Sequence, residues 1–309
     1  MSTLEDLVKA KYDEALASGE LVFTESSVGV VEENRVKYSI RCAPGLATKP
    51  EKKDIDKEKT DGKPFNPFLP PNPALFVQEM EPKHTVVLNK FCIVPRHFLL
   101  ITKAYEDQTK PLNPADLEAI WKCFEGLRSK HMAFYNCGPA SGASQGHKHV
   151  QFIPLPSADE FTPFPDDIVR AQSSNGPGLG QLLQHDAISF EHFILPIPRN
   201  PTPDDLAEIY VHLLSPTIQA CRMADCKTIS YNVCMTRDWM FMAPRVNEGW
   251  DGLSFNSTAM VGMLLVKSEV EMEKVKKEGP SNILAKVGVD KGQGNEDQSA
   301  APDGGALAS

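Results

Sequence analysis

Residues Asn136 to Phe152 read NCGPASGASQGHKHVQF, and this stretch restricts the fold and the chemistry more tightly than any other. Its first half, Cys137 to Gly146, is dominated by Gly, Pro, Ala, Ser and Gln. Such a run packs no core, but it turns sharply and brings backbone N–H groups close to a ligand. The second half, His147 to Phe152, alternates like a strand. A period of two puts His147, His149 and Gln151 on one face and Lys148, Val150 and Phe152 on the other. Imidazole titrates at about 6.5, so a neutral nitrogen nucleophile is available at neutral pH. Two imidazoles and an amide behind an amide-rich loop therefore suit attack on a phosphate whose oxygens the loop holds. Two plain surface histidines, or a zinc pair, are the competing readings. A catalytic zinc wants a third protein ligand, and nothing nearby completes a familiar spacing.

Other pieces join this centre: Leu88-Asn89-Lys90-Phe91, the loop Gly142-Ala143-Ser144-Gln145 ahead of HKHVQ, and Phe255-Asn256-Ser257-Thr258. On these residues the chain resembles the histidine triad superfamily in its transferase branch, where H-x-H-x-Q replaces three histidines. The likeness is closest to the fungal ATP adenylyltransferases, also called diadenosine tetraphosphate phosphorylases. The resemblance implies that His149 attacks the α-phosphorus and carries AMP covalently. Its other ring nitrogen would donate to a backbone carbonyl, while His147 and Gln151 hold phosphate oxygens or the nucleophile's geometry. By residue-wise match it also implies substrate contacts from Lys49, Asn89, Lys90, Asn136, Gly142, Ala143, Ser144, Gln145 and Gln151. Asn256, Ser257, Thr258, Met263 and Lys267 complete that set. Phosphorolysis of diadenosine tetraphosphate to ATP and ADP, its reverse, and a side exchange of ADP with phosphate or from sulfate adenylates are the implied activities. A divalent cation, magnesium, would accompany the polyphosphate with no dedicated protein-bound metal. Two rivals remain open: a hexose-1-phosphate uridylyltransferase, which shares H-x-H-x-Q, and a nucleotide-binding sensor without catalysis.

The resemblance also implies a single α+β domain of histidine-triad type, a mainly antiparallel sheet flanked by helices. Residues 230–245 (SYNVCMTRDWMFMAPR) echo 88–102 in a strand–turn–strand pattern, which suggests two pseudo-repeated units in one chain. A hydrophobic content of 41% in 309 residues supports a sizeable core. The catalytic domain is expected over 1–288, with a flexible insert at about 50–73 and a disordered tail at 289–309, where hydrophobicity is low.

Helices are expected from a Ser2/Glu5 capping box, from Asn113 to Leu127 with Pro114 in the first turn, and from Thr202 until Pro216 ends or kinks it. Further helical starts are expected at Ser257 and at Ser268. Strands are expected at 21–23, 36–40, in two pieces within 86–102, and at 131–136, 189–196, 228–235 and 239–243. Residues 154–180 read as a long loop.

A net charge of −9 argues against nucleic-acid partners and leaves small-molecule nucleotides as the expected ones. The seven cysteines form no C-x-x-C pair and are odd in number, which suits reduced thiols rather than a disulfide framework. With no apolar run near about 18 residues and no leader, the expectation is a cytoplasmic monomer, with the nucleus as a second compartment.

Overall fold

Strands that are apolar on both faces need a layer above and a layer below. The computed structural model, which describes residues 2–48, 66–80, 82–174 and 180–293, supplies both. Strands β1 (Ser27–Glu33) and β2 (Val36–Cys42) belong to a small sheet described below. The main sheet contains β3 (Phe76–Met80), β4 (His84–Leu88), β5 (Phe98–Thr102), β6 (His131–Cys137) and β7 (His149–Pro154). It is completed by β8 (Phe193–Pro196), β9 (Tyr231–Met235) and β10 (Trp239–Pro244). The spatial order is β8-β10-β9-β6-β7-β5-β4-β3, with every neighbour antiparallel. A last strand, β11 (Met263–Val266), pairs parallel with β2, and β2 pairs antiparallel with β1.

Helix α1 (Leu4–Ala17), α2 (Pro114–Glu125), α3 (Phe164–Ser174) and α4 (Pro203–Met223) are followed by α5 (Glu269–Glu278) and α6 (Pro280–Val287). Alternation along the strands sorts the core into two layers. Val150, Phe152, Tyr135 and Val233 face α1, α2 and α4, while Phe134, Ile153, Cys234 and Phe241 face α3, α5, α6 and the small sheet. This is the expected α+β architecture.

The doubled unit is visible in the topology, offset from the sequence echo. β5–α2–β6–β7 and β8–α4–β9–β10 are both strand–helix–strand–strand, ordered β5-β7-β6 and β8-β10-β9. The two meet where β6 lies beside β9, with Asn136 opposite Asn232. Residues 231–244 therefore correspond to 131–154, not to the 88–102 hairpin. A strand–turn–strand pattern is common to any hairpin, and the preceding helix is what tells the two apart.

Other expectations shift for local reasons. The first helix is capped by Thr3 in a box with Asp6, one residue on from the Ser2/Glu5 pair. Residues Ser27–Glu33 form an edge strand that solvent-facing side chains conceal, and Phe164–Ser174 is helical within the expected loop. α4 runs through Pro216 to Met223. After Ser257 the chain makes only a 3-10 turn, Ala259–Val261, before β11. The expected insert extended to 73, yet Phe68 is buried against Val87, Leu99 and Ile101. Beyond 288, Asp290 bridges Phe190 and Lys291 N–H donates to Ser189 O at 3.0 Å. The rest of the insert and tail, with Lys49, lies outside the described residues.

Candidate active site

The glycine loop joining β6 to β7 is shaped by two close approaches. Gly138 (φ +90°) and Gly142 (φ +82°) are left-handed, and a Cβ at 142 would lie 2.4 Å from Phe255 O. Only glycine meets both demands, the positive φ and the missing side chain. Where the loop parts the two strands, the side chain of Gln108 replaces their ladder. Its Oε1 accepts from His149 N–H at 2.8 Å, and its Nε2 donates to Asn136 O at 2.9 Å and His149 O at 3.3 Å.

His149 opens β7 and is 3% exposed. Its Nδ1–H donates to the carbonyl of His147 at 2.8 Å, which fixes the tautomer and leaves Nε2 with a lone pair. Nε2 takes no protein partner among the described residues, and His149 lines a cavity of about 1240 Å³. Burial pushes its imidazole down to about 4, against the hydrogen bond to His147 O, so the ring is neutral at neutral pH.

His147 is differently employed. Asn66 Nδ2 donates to its Nδ1 at 3.0 Å, and its Nε2–H faces Thr102 O and Thr102 Oγ1, each at 2.9 Å. Both ring nitrogens are therefore engaged with protein groups, and the ring is held beside His149. Asn66 and Phe68 bring the 66–71 strap over the site. The Phe68 ring centroid sits 5.6 Å from His147 and 5.5 Å from His149.

On the opposite face of β7 the alternation places Lys148, 2% exposed. Its ammonium lies 2.5 Å from Asp116 Oδ2 and 3.6 Å from Glu106. Asp116 also accepts from the His84 ring at 2.8 Å. Desolvation alone would raise the Asp116 carboxyl, but its hydrogen bonds from His84, Asn113 and Lys148 outweigh burial and hold it low.

Of the remaining expected residues, Asn89, Lys90, Gly142, Ser144, Gln145, Gln151, Asn256, Thr258, Met263 and Lys267 line the cavity with His149. Ala143 does not. Asn136 and Ser257 lie beneath it, 1% and 0% exposed. Asn136 Oδ1 accepts from Ser257 N–H (2.9 Å), Ser257 Oγ–H (2.6 Å) and Asn232 Nδ2 (3.0 Å). The fully buried Arg245 donates to Asn232 Oδ1 and to the carbonyls of Asn247, Glu248, Phe255 and Val287, and burial pushes its guanidinium down to about 9. This floor ties the glycine loop to the 255–258 segment.

Sequence reading missed His97, Gln108, Phe68 and Arg245. His97 had a faint signal, a histidine after Pro-Arg at the joint of two apolar strands. Arg41, half-buried on β2, adds a cation to the cavity wall with only Ser26 Oγ, at 2.8 Å, as a partner among the described residues.

A neutral imidazole with an unused nitrogen, set in a large cavity lined also by Lys90, Lys267 and Arg41, is the arrangement that group transfer from an anionic ligand requires. Comparison with known proteins then fixes the family. Residues 1–171 match the model of the Ap4A phosphorylase N-terminal domain, and residues 186–290 match that of the ATP adenylyltransferase C-terminal domain. The chain is 32% identical to diadenosine 5',5'''-P1,P4-tetraphosphate phosphorylase 2 of Saccharomyces cerevisiae, covering 87% of this chain and 89% of that protein. It is also 32% identical to protein APA1 of the same yeast, covering 92% and 94%. The crystal structure of yeast Ap4A phosphorylase Apa2 in complex with Ap4A superposes with a TM-score of 0.81 at 29% identity, covering 94% of this chain and 98% of that one. The chain belongs to the Ap4A phosphorylase family.

Proposed function

We infer that this chain is an ATP adenylyltransferase that cleaves diadenosine tetraphosphate with inorganic phosphate into ATP and ADP, and runs the reverse. The observation that carries the reading is the state of His149: buried, neutral, Nδ1–H anchored on a carbonyl, and Nε2 open to the cavity. In the first step the Nε2 lone pair forms a bond to the α-phosphorus while the bond to the bridging oxygen breaks, releasing ATP. In the second step a phosphate oxygen attacks the same phosphorus, the N–P bond breaks and ADP leaves. His149 returns to its neutral tautomer.

Gln151, Ser144, Gln145, Asn256 and Thr258 are proposed to hold phosphate oxygens. Lys90, Lys267 and Arg41 would neutralise the distal charge, and Met263 would wall the nucleoside. Lys49 joins them on the strength of the resemblance alone. Asn136 and Ser257 act from below, by fixing the loops that line the cavity. Magnesium enters with the polyphosphate as part of the substrate, and the side exchange of ADP with phosphate follows from the same adenylyl-histidine. We place the activity in one chain, in the cytoplasm or nucleus, with small-molecule partners. Among the described residues no helix is long and apolar enough to cross a membrane, and all seven cysteines are free.

The test is mass spectrometry of the protein after diadenosine tetraphosphate without phosphate. An AMP adduct is expected on the peptide holding His149, and His149→Ala should abolish turnover while binding stays within a few fold. An adduct on another side chain, or turnover that persists in the variant, overturns the mechanism. Release of no ATP by the wild type would favour the sensor, and turnover of UDP-glucose the sugar transferase.

A further inference from the structure

His97 links two cavity residues through a chain of hydrogen bonds that has one direction. Asn89 Nδ2 lies 3.4 Å from Phe91 O, a group that only accepts, and 3.0 Å from His97 Nδ1. The amide NH2 of Asn89 therefore faces the ring, and Nδ1 of His97 is an acceptor. Neutral imidazole then carries its proton on Nε2. That Nε2 lies 3.1 Å from Gln151 Oε1, which must accept. Two orientations follow. Gln151 has spent its carbonyl on His97 and has its NH2 left for the cavity, while Asn89 has spent its NH2 and has its carbonyl left.

We propose that His97 is a positioning residue that fixes the Gln151 amide with its donor toward the transferred phosphoryl group and, at the other end, the Asn89 carbonyl toward a hydroxyl or amino group of the nucleotide. Phosphoryl oxygens at neutral pH only accept, so an amide turned the other way would set oxygen against oxygen. Amide groups rotate between the two orientations at little steric cost, so the cavity alone does not choose between them. His97, 7% exposed at the start of β5, makes the choice, because the opposite tautomer would reverse both ends together. The donor then waits in place as charge develops on the phosphoryl oxygens, which is where a preorganised hydrogen bond lowers a barrier.

The activity arm of the test rests on the proposed phosphorolysis; the spectroscopic arm does not. In the full chain labelled with 15N-histidine, long-range 1H–15N spectra should show His97 as the Nε2–H tautomer, and the Nδ1–H tautomer would overturn the proposal. His97→Phe keeps a ring and removes both nitrogens. It should lower kcat about tenfold or more with KM changed less than about threefold, short of the roughly 10²–10³ of a deleted oxyanion donor because the Gln151 amide itself remains. In a Gln151→Ala background the same substitution should cost less than about threefold, because the group it orients is gone. An equal loss in both backgrounds would mean that His97 acts only through packing and would sink the proposal. A wild-type chain with no turnover would defeat the functional reading while the tautomer still decided this one.

Discussion

Replacing Phe68 by alanine tests whether the strap sets the protonation state of His149. The ring covers one side of His149 at 5.5 Å and packs on Val87, Leu99 and Ile101. Burial holds the His149 imidazole at about 4 instead of the ordinary 6.5. At about 1.4 kcal/mol per pH unit, that gap corresponds to about 3 kcal/mol of disfavoured imidazolium. The strand, the Gln108 clamp and the floor supply the other walls, so removing Phe68 should return about a third to a half of it. In Phe68→Ala the His149 pKa should therefore rise by about one, to about 5. An NMR titration of the chain labelled with 13C-histidine reads this directly. The acid limb of the adenylyl-transfer profile should move up with it, while at pH 7 the imidazole stays neutral. Stability should fall by about 2–3 kcal/mol, at or below the usual range for a lost core phenylalanine because the site opens on a cavity that water can fill. A His149 that still titrates at about 4 in this variant would refute the reasoning and assign the desolvation to the sheet alone.

Three further outcomes follow from the geometry. Asp116→Asn leaves the Lys148 ammonium buried without its near carboxylate and should cost about 3–5 kcal/mol, seen as a lower denaturant midpoint; a loss below about 1 kcal/mol would mean that Glu106 takes over. Gly142→Ala would put a Cβ against Phe255 O at a positive φ, so it should displace the 142–145 loop and cut turnover by more than tenfold even where the circular dichroism spectrum is unchanged. His149 and His192 titrate at about 4 and about 3 when folded, below the unfolded value, and burial lowers His131, His147 and His185 as well. The unfolded chain therefore binds protons that the native one refuses. Stability should be full above about pH 6.5 and fall progressively toward pH 4, and urea midpoints flat across that window would contradict the burial.

The histidine strand, the helix at Asn113 and the buried hairpin around 88–102 were legible because periodicity and caps are local. The resemblance of its motifs named residues far apart in the chain, from Asn89 and Lys90 to Thr258 and Lys267, that the fold brings around one cavity. What escaped depends on neighbours far along the chain. Gln108 shows nothing in its own sequence to say that it would clamp His149, and the expected insert at about 50–73 gives no sign that Phe68 within it closes over two imidazoles. Asn136 and Ser257 were expected to touch substrate on the resemblance alone, and a buried polar group needs either a ligand or a protein partner. The structure supplies the partners, through Asn232 and Arg245. His147 was ambiguous for the same reason, since spacing shows which face a ring occupies but not which hydrogen bonds use up its nitrogens.

The seam between β6 and β9 has a stoichiometric consequence. Where β7 presents His149 and Gln151 to one layer, β10 presents Trp239, Phe241 and Ala243, packed among Phe164 and His192. The second half has kept the outline of the first and filled the place where a nucleophile would stand. A radiolabel trapped on this protein should therefore count chains, one per polypeptide, however many copies stand together and although each carries the unit twice.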